Sequence, residues 1–179
     1  MKHIEEALEM GIFPTRILLA IDDSREAELA TCKAVELAGG TGSELHVVHV
    51  GELPNFLMQD PDVIGFNRKL YDDIERESQE ALRKLTWRVK VSGGTVRGTH
   101  LRLGHVAEEI VKLAEELGAD LIVMGSRGHT GIRRTIEGSI SDFVVHHAPC
   151  PVMTVRADKG KEPRGFWRRV FSSRTTSFG

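Results

Sequence analysis

Between positions 125 and 141 the chain reads GSRGHTGIRRTIEGSIS, a run dense in glycine, hydroxyl and cationic residues. Glycine lets a main chain approach a phosphate with no Cβ in the way, and free N–H groups at a helix N-terminus stabilise anionic oxygen. Gly125 and Gly128 suit the first role, Gly138 and Ser139 stand at the mouth of a following helix, and the hydroxyls of Ser139 and Ser141 add donors. Arg127, His129, Arg133 and Arg134 could add charge-assisted contacts to a polyphosphate. The same residue types also build tight turns and solvated basic loops, so these residues alone leave both readings open. The sequence holds no G-x-x-x-x-G-K-[ST] loop and no G-x-G-x-x-G after its first apolar strand, so neither a P-loop ATPase nor a dinucleotide dehydrogenase is supported.

The elements that must position this run follow from hydrophobic periodicity. Five consecutive apolar residues within Arg16–Asp22 predict a strand buried on both faces of a parallel sheet. Asp23 or Ser24 can cap a helix carrying Ala27, Ala30, Ala34, Leu37 and Ala38, with Gly39-Gly40 as its expected end. Glu44–Val50 reads as the second strand, and Gly51 to Asp62, with Pro54 and Pro61, as a long loop. A helix from about Ile64 to Trp87 is expected to bury Leu70, Ile74, Ala81, Leu82 and Leu85. Thr95–Leu103 alternates as a strand, Gly104 introduces a helix that Gly118 closes, and Ala119–Met124 is a further apolar strand. A helix from about Gly138 to His147 and a strand over Pro151–Arg156 complete a βαβαβαβαβ order. That order predicts an open parallel sheet with helices on both faces, whose ligand sits beyond the carboxyl ends of the strands. Asp22-Asp23-Ser24 and the glycine-rich run are the residues so placed, although Asp22 could equally be a turn or capping carboxylate.

Composition limits the alternatives. With 179 residues, 40% hydrophobic and 28% charged, the chain is an ordinary globular protein with one main core. Cys32 and Cys150 lie far apart with no ligand spacing, and the pairs His46/His49 and His146/His147 resemble no H-E-x-x-H motif, so neither a disulfide framework nor a metal site is expected. Cys150, between two prolines, reads as a small buried hydrophobe. The first fourteen residues lack the apolar run of a secretory signal, and no stretch is apolar enough to span a bilayer; the expected location is cytoplasmic. The net charge of −2 argues against nucleic acid as a partner, yet it conceals an asymmetry. Residues 157–179 carry six basic and two acidic residues with Trp167, Val170 and Phe171 at helical spacing, whereas residues 1–156 are acidic. A terminus that is flexible or packs back on its own domain is the favoured reading of this tail, ahead of contact with a membrane surface or a protein partner.

Gly125-x2-Gly128-x9-Gly138-Ser139, set between Leu-Ile-Val-Met and His-Ala-Pro-Cys-Pro-Val, resembles the nucleotide signature of the universal stress protein family. Ile17-Leu-Leu-Ala-Ile-Asp-Asp-Ser24, His49-Val50 and Gly104 extend the resemblance over residues 14–156, leaving residues 1–13 as an N-terminal arm and 157–179 as the basic aromatic tail. The resemblance implies a Rossmann-like five-stranded sheet of order 3-2-1-4-5 and a homodimer made partly through the final strands. It implies ATP as ligand, with AMP or cyclic AMP as alternatives, and Mg2+ at most bridging the phosphates. By resemblance Asp22 lies at the adenine and ribose end with Ala20 and Ile21 beside it, and Val50 lines the adenine pocket. Met124 and Gly125 flank the nucleoside, with Arg127 in the same loop, and Gly128, Gly138, Ser139, Ile140 and Ser141 hold the phosphates. Ala20-Ile21 departs from the Pro-Thr pair of some ATP-binding members, so no threonine hydroxyl contact carries over. Glu137 and His129 are the loop groups nearest in type to a catalytic base, but no paired carboxylates mark a metal site. The expected function is therefore a nucleotide-dependent regulatory module with at most slow hydrolysis. A phosphotransfer or nucleotide-hydrolysing enzyme and a nucleotide-independent interaction protein are the alternatives.

Overall fold

The computed structural model describes residues 14–58, 61–126 and 140–157. Its elements run β1 Arg16–Ala20, α1 Arg25–Thr41, β2 Glu44–Glu52, α2 Asn55–Met58, α3 Pro61–Phe66, α4 Arg68–Val91, β3 Val96–Gly104, α5 Val106–Leu117, β4 Leu121–Gly125, α6 Ile140–His147 and β5 Val152–Val155. The strands form one sheet of order β3-β2-β1-β4-β5, and the four pairings are all parallel. This is the Rossmann-like order expected above.

Alternation along the strands sends side chains into two cores. Ile17, Leu19, Ile21, Leu45, Val47 and Val123 face α1 and α4, where Ala30, Ala34, Leu82, Leu85 and Val89 meet them. Leu18, Ala20, Val48, Ile122 and Met124 face α5 and α6, packing on Ile110, Leu113, Ala114 and Val144. Both faces of β1 are thus dry, which accounts for its unbroken apolar run. Asp120 ties the amino ends of β1 and β4 together by accepting from the main-chain N–H groups of Thr15 (3.0 Å) and Arg16 (2.9 Å) and from the Thr15 hydroxyl (2.6 Å).

Several boundaries differ from the sequence reading. α1 runs through Gly39-Gly40 and stops at Gly42, whose φ of 72° is left-handed and whose N–H bonds back to Ala38. A left-handed residue, not a glycine pair as such, terminates the helix. The expected loop after β2 contains the short helix α2, and the expected single helix is divided into α3 and α4 at Asn67, whose main-chain and side-chain N–H groups both donate to the Val63 carbonyl (3.0 and 2.9 Å). Leu70 is exposed, while Ser78, Thr86 and Val89 join Leu82 and Leu85 in the buried stripe of α4. Ser78 is buried because Gly51 of β2 lets the helix approach: a Cβ there would overlap the Ser78 hydroxyl and lie 2.6 Å from Leu103.

Candidate functional site

The carboxyl ends of β1, β2 and β4 lie side by side, and four of the singled-out residues share one face there. Ala20, Met124, Val50 and Ile140 all belong to the core on the α5 and α6 side, the first two buried and the last two half-buried. Residues from four separate elements thus make one apolar wall below the ends of the strands. The flat face of a purine base suits such a wall, which excludes water without offering competing polar groups.

Ile21 is placed elsewhere. Its side chain enters the opposite core, and its main chain is already engaged: the N–H donates to Val48 O (3.0 Å), and the carbonyl accepts from His49 Nδ1 (3.0 Å). It braces the strand end and does not face the wall formed by Ala20 and Met124. Asp22 comes next, half-buried, and its Oδ1 accepts from the Ser24 N–H (2.9 Å). This closes a tight turn of the kind in which an aspartate bonds the main chain two residues on. Ser24 then caps α1 by accepting from the Ala27 N–H (3.1 Å), so the turn and the helix start form one structure.

At the end of β4, Gly125 has a packing reason independent of any ligand. A Cβ there would lie 2.9 Å from Glu26 Cβ and 3.0 Å from the main chain of Ala27, so only glycine lets β4 abut the first turn of α1. The next residue, Ser126, donates its N–H to Val155 O (2.8 Å) and accepts at its carbonyl from the Ser141 hydroxyl (3.2 Å), which joins β4, β5 and the start of α6. The Ser126 hydroxyl is buried and has no hydrogen-bond partner among the described residues. An orphaned buried hydroxyl at this junction is a donor suited to anionic oxygen. Arg127, Gly128, Gly138 and Ser139, together with His129, Arg133, Arg134 and Glu137, lie outside the described residues.

The turn and the first turn of α1 carry Asp22, Asp23, Glu26 and Glu28 against Arg25, so the local setting is acidic on balance. Arg88, from the last turn of α4, donates from Nη1 to Asp23 Oδ1 (2.8 Å) and stands 3.9 Å from Glu28 Oε1. With Ile21, Asp22, Ala27, Thr31 and Leu85 it lines a small pocket between α1 and α4. Sequence reasoning missed Arg88, Ser126 and the brace from His49. Arg88 is one of many charges on an amphipathic helix, and nothing local distinguishes it; Ser126 carried a signal in lying between two singled-out glycines.

The other groups weighed in the sequence read as structural. His46 and His49 do not act as a pair, because His46 bonds His100 across to β3 (Nδ1 to Nε2, 3.1 Å). His146 and His147 each donate from Nδ1 to the carbonyl four residues earlier, those of Asp142 and Phe143. No cluster of three or more His, Cys, Asp or Glu able to hold a metal is present among the described residues. Cys150 packs against the α5 and α6 core, and burial pushes its thiol pKa up, as it does for Cys32. Among the described residues no helix is long and apolar enough to cross a membrane.

Comparison with known proteins gives the same outline. Residues 14–156 match the Universal stress protein family. The universal stress protein A homolog 1 of Coxiella burnetii is 35% identical over 139 residues, covering 78% of this chain and 94% of that protein. Among solved structures, the universal stress protein UspA of Lactobacillus plantarum superimposes with a TM-score of 0.64 at 27% identity, covering 79% of this chain and 97% of the other. A universal stress protein of Archaeoglobus fulgidus, solved in complex with dAMP, superimposes with a TM-score of 0.54 at 28% identity over 79% of this chain and 97% of its own.

Proposed function

The chain belongs to the universal stress protein family, and from that membership together with the geometry of its strand ends we propose that it binds an adenine nucleotide, ATP in the first place. The observation that carries the reading is the apolar wall of Ala20, Val50, Met124 and Ile140 beneath a polar rim of Asp22 and the unpartnered Ser126 hydroxyl. The relative from Archaeoglobus fulgidus, with dAMP bound, supports the class of ligand. In this reading the adenine rests on the wall and Asp22 accepts from the ribose hydroxyls. Met124 and Gly125 border the nucleoside, Ile21 steadies the turn from behind, and Ser126 and Ser141 lead into the phosphate loop. Arg127, Gly128, Gly138 and Ser139 complete that loop on the strength of their spacing. Mg2+ bound with the nucleotide would offset phosphate charge; no cluster of three or more carboxylates or other ligands dedicated to it is present among the described residues.

The protein acts as a nucleotide-dependent regulatory module in the cytoplasm, with at most slow hydrolysis, and AMP or cyclic AMP are the alternative occupants. A homodimer through β5 is part of the proposal. β5 is an edge strand, and Met153 on it and Val145 on α6 are exposed. Mass spectrometry of the small molecule that copurifies, followed by equilibrium titration of ATP, tests the reading. Gly138→Val and Asp22→Ala should each weaken binding at least tenfold, and unchanged affinity in both would remove the site assignment. Single-turnover kinetics separates the readings of activity, because ATP that persists for many minutes supports a binding module and rapid release of ADP supports an enzyme.

A further inference from the structure

The outer face of α4 carries a large apolar side chain that the described residues leave half in water. Trp87 is 52% exposed, and the exposed cations Arg83, Lys84 and Lys90 stand within one helical turn of it. These three make no ion pair among the described residues, whereas Arg68, Arg76 and Arg88 of the same helix each hold a carboxylate. Glu80, one turn before Arg83 and Lys84, bonds neither. Cations in the last turns of a helix offset its macrodipole, which accounts for their sign. It does not account for the tryptophan, and an exposed indole beside unpaired cations is suited to anchor an acidic segment.

The fold places one such segment beside this face. α4 leads into the start of β3, and the sheet is parallel, so the end of α4 and the start of β1 lie at the same edge. Pro14 accepts at its carbonyl from the Ser43 hydroxyl just beyond α1, which packs on the same side of the sheet as α4. The two helices close up at that edge: a Cβ on Gly94, just past α4, would lie 2.8 Å from Val35 of α1 and 3.0 Å from Val89. Residues 1–13 lie outside the described residues; by sequence they hold Glu5, Glu6 and Glu9 against Lys2, interleaved with Ile4 and Leu8. Two strand spacings of about 4.8 Å and one helix diameter of about 10 Å separate Pro14 from the outer face of α4, a span that the arm bridges at about 3.3 Å per residue. The basic residues 157–179 follow β5 at the opposite edge and carry the wrong sign for this face.

We propose that the acidic arm, residues 1–13, docks on the outer face of α4, its glutamates against Arg83, Lys84 and Lys90 and an apolar side chain against Trp87. The tether holds the arm at a local concentration on the order of millimolar, so contacts too weak for a separate peptide suffice. The inference is independent of the nucleotide reading.

Acrylamide quenching of Trp87 fluorescence in the full chain makes the test, with Trp167→Phe leaving Trp87 as the one tryptophan. In that background Trp87 is quenched about twofold less than in the added Glu5→Gln/Glu6→Gln/Glu9→Gln variant, and the difference narrows at high salt. Arg83→Glu/Lys84→Glu raises quenching to the same level, and joining it to Glu5→Lys/Glu6→Lys/Glu9→Lys restores most of the protection. Rescue by reversed charge is an effect that a purely structural role of either set would not produce. The glutamine variant changes no described residue, so it keeps the test decisive if the α4 reversal disturbs folding. Equal quenching in all of these variants overturns the inference. Protection that appears only as protein concentration rises also overturns it, because a second copy is then the cover. Protection that appears only on adding polyglutamate overturns it too, because the face then takes a separate acidic partner and not the arm.

Discussion

Two side chains outside the proposed site show how single residues stabilise this sheet. Hydrogen bonds, first from the Thr15 hydroxyl and then from the N–H groups of Arg16 and Thr15, hold the Asp120 carboxyl below its ordinary pKa. A lowered carboxylate pKa favours the folded state above the ordinary value and loses that benefit as pH falls through the folded value. Asp120→Ala should therefore destabilise the protein by about 0.5–1 kcal/mol at pH 7, the exposure of the carboxylate to water reducing what its hydrogen bonds contribute, measured by urea unfolding, with the difference shrinking towards pH 3. His100 works in the opposite range. Burial, then His46 and Arg102, lower its pKa from the ordinary 6.5, so folding favours the neutral ring. Its contribution is intact above pH 6.5 and declines as pH falls from there towards the folded value. Wild-type stability should drop between pH 7.5 and 5.5, and His100→Asn should drop less. The charged groups around the pair are Glu44, Arg16 and Arg97 on the His46 side and Arg102 and Glu116 on the His100 side. Asp22 was legible in the sequence both as the residue ending an apolar strand and as a turn or capping carboxylate; the structure adds which partner it takes, the Ser24 N–H.

Among the elements, close approaches decide where helices sit on the sheet. Gly125 admits the first turn of α1 and Gly51 admits α4 at Ser78. Gly125→Ala should cost about 1–3 kcal/mol in urea unfolding, because the atoms it meets include main chain that cannot rotate away. It should also weaken nucleotide binding, since the Asp22 turn rides on the same helix start. Gly51→Ala should cost a similar amount, and Ser78→Gly should recover part of it in a double-mutant cycle, because the colliding group is a side chain. The order of strands and helices was readable from periodicity, as in β1 and β4 with their unbroken apolar runs. Element ends were read less well: the division of α3 from α4 at Asn67 follows from hydrogen bonds to Val63 that no hydrophobic pattern announces.

For the molecule as a whole, the proposed site joins ends of strands that are distant in sequence but adjacent in the sheet, so ligand binding should stabilise the entire fold. ATP at a hundredfold excess over its Kd should add about 2.7 kcal/mol and raise the melting temperature by several degrees, measured by differential scanning fluorimetry. Asp22→Ala should cut that rise to about half or less at the same ATP concentration, and a wild type without any rise would count against the site. The sequence by itself determined the α/β alternation and the buried strands, because burial and helical or strand periodicity are written in local residue order. It also determined the glycine spacing that carries the family resemblance, because glycine is the residue that removes a Cβ wherever a backbone must come close. Only the tertiary structure decided which side of the sheet each residue serves: Ala20 and Ile21 are neighbours in the chain, yet they enter opposite cores. It alone brought Arg88 to Asp23, because a contact across 65 positions depends on two helices packing on one face of the same sheet.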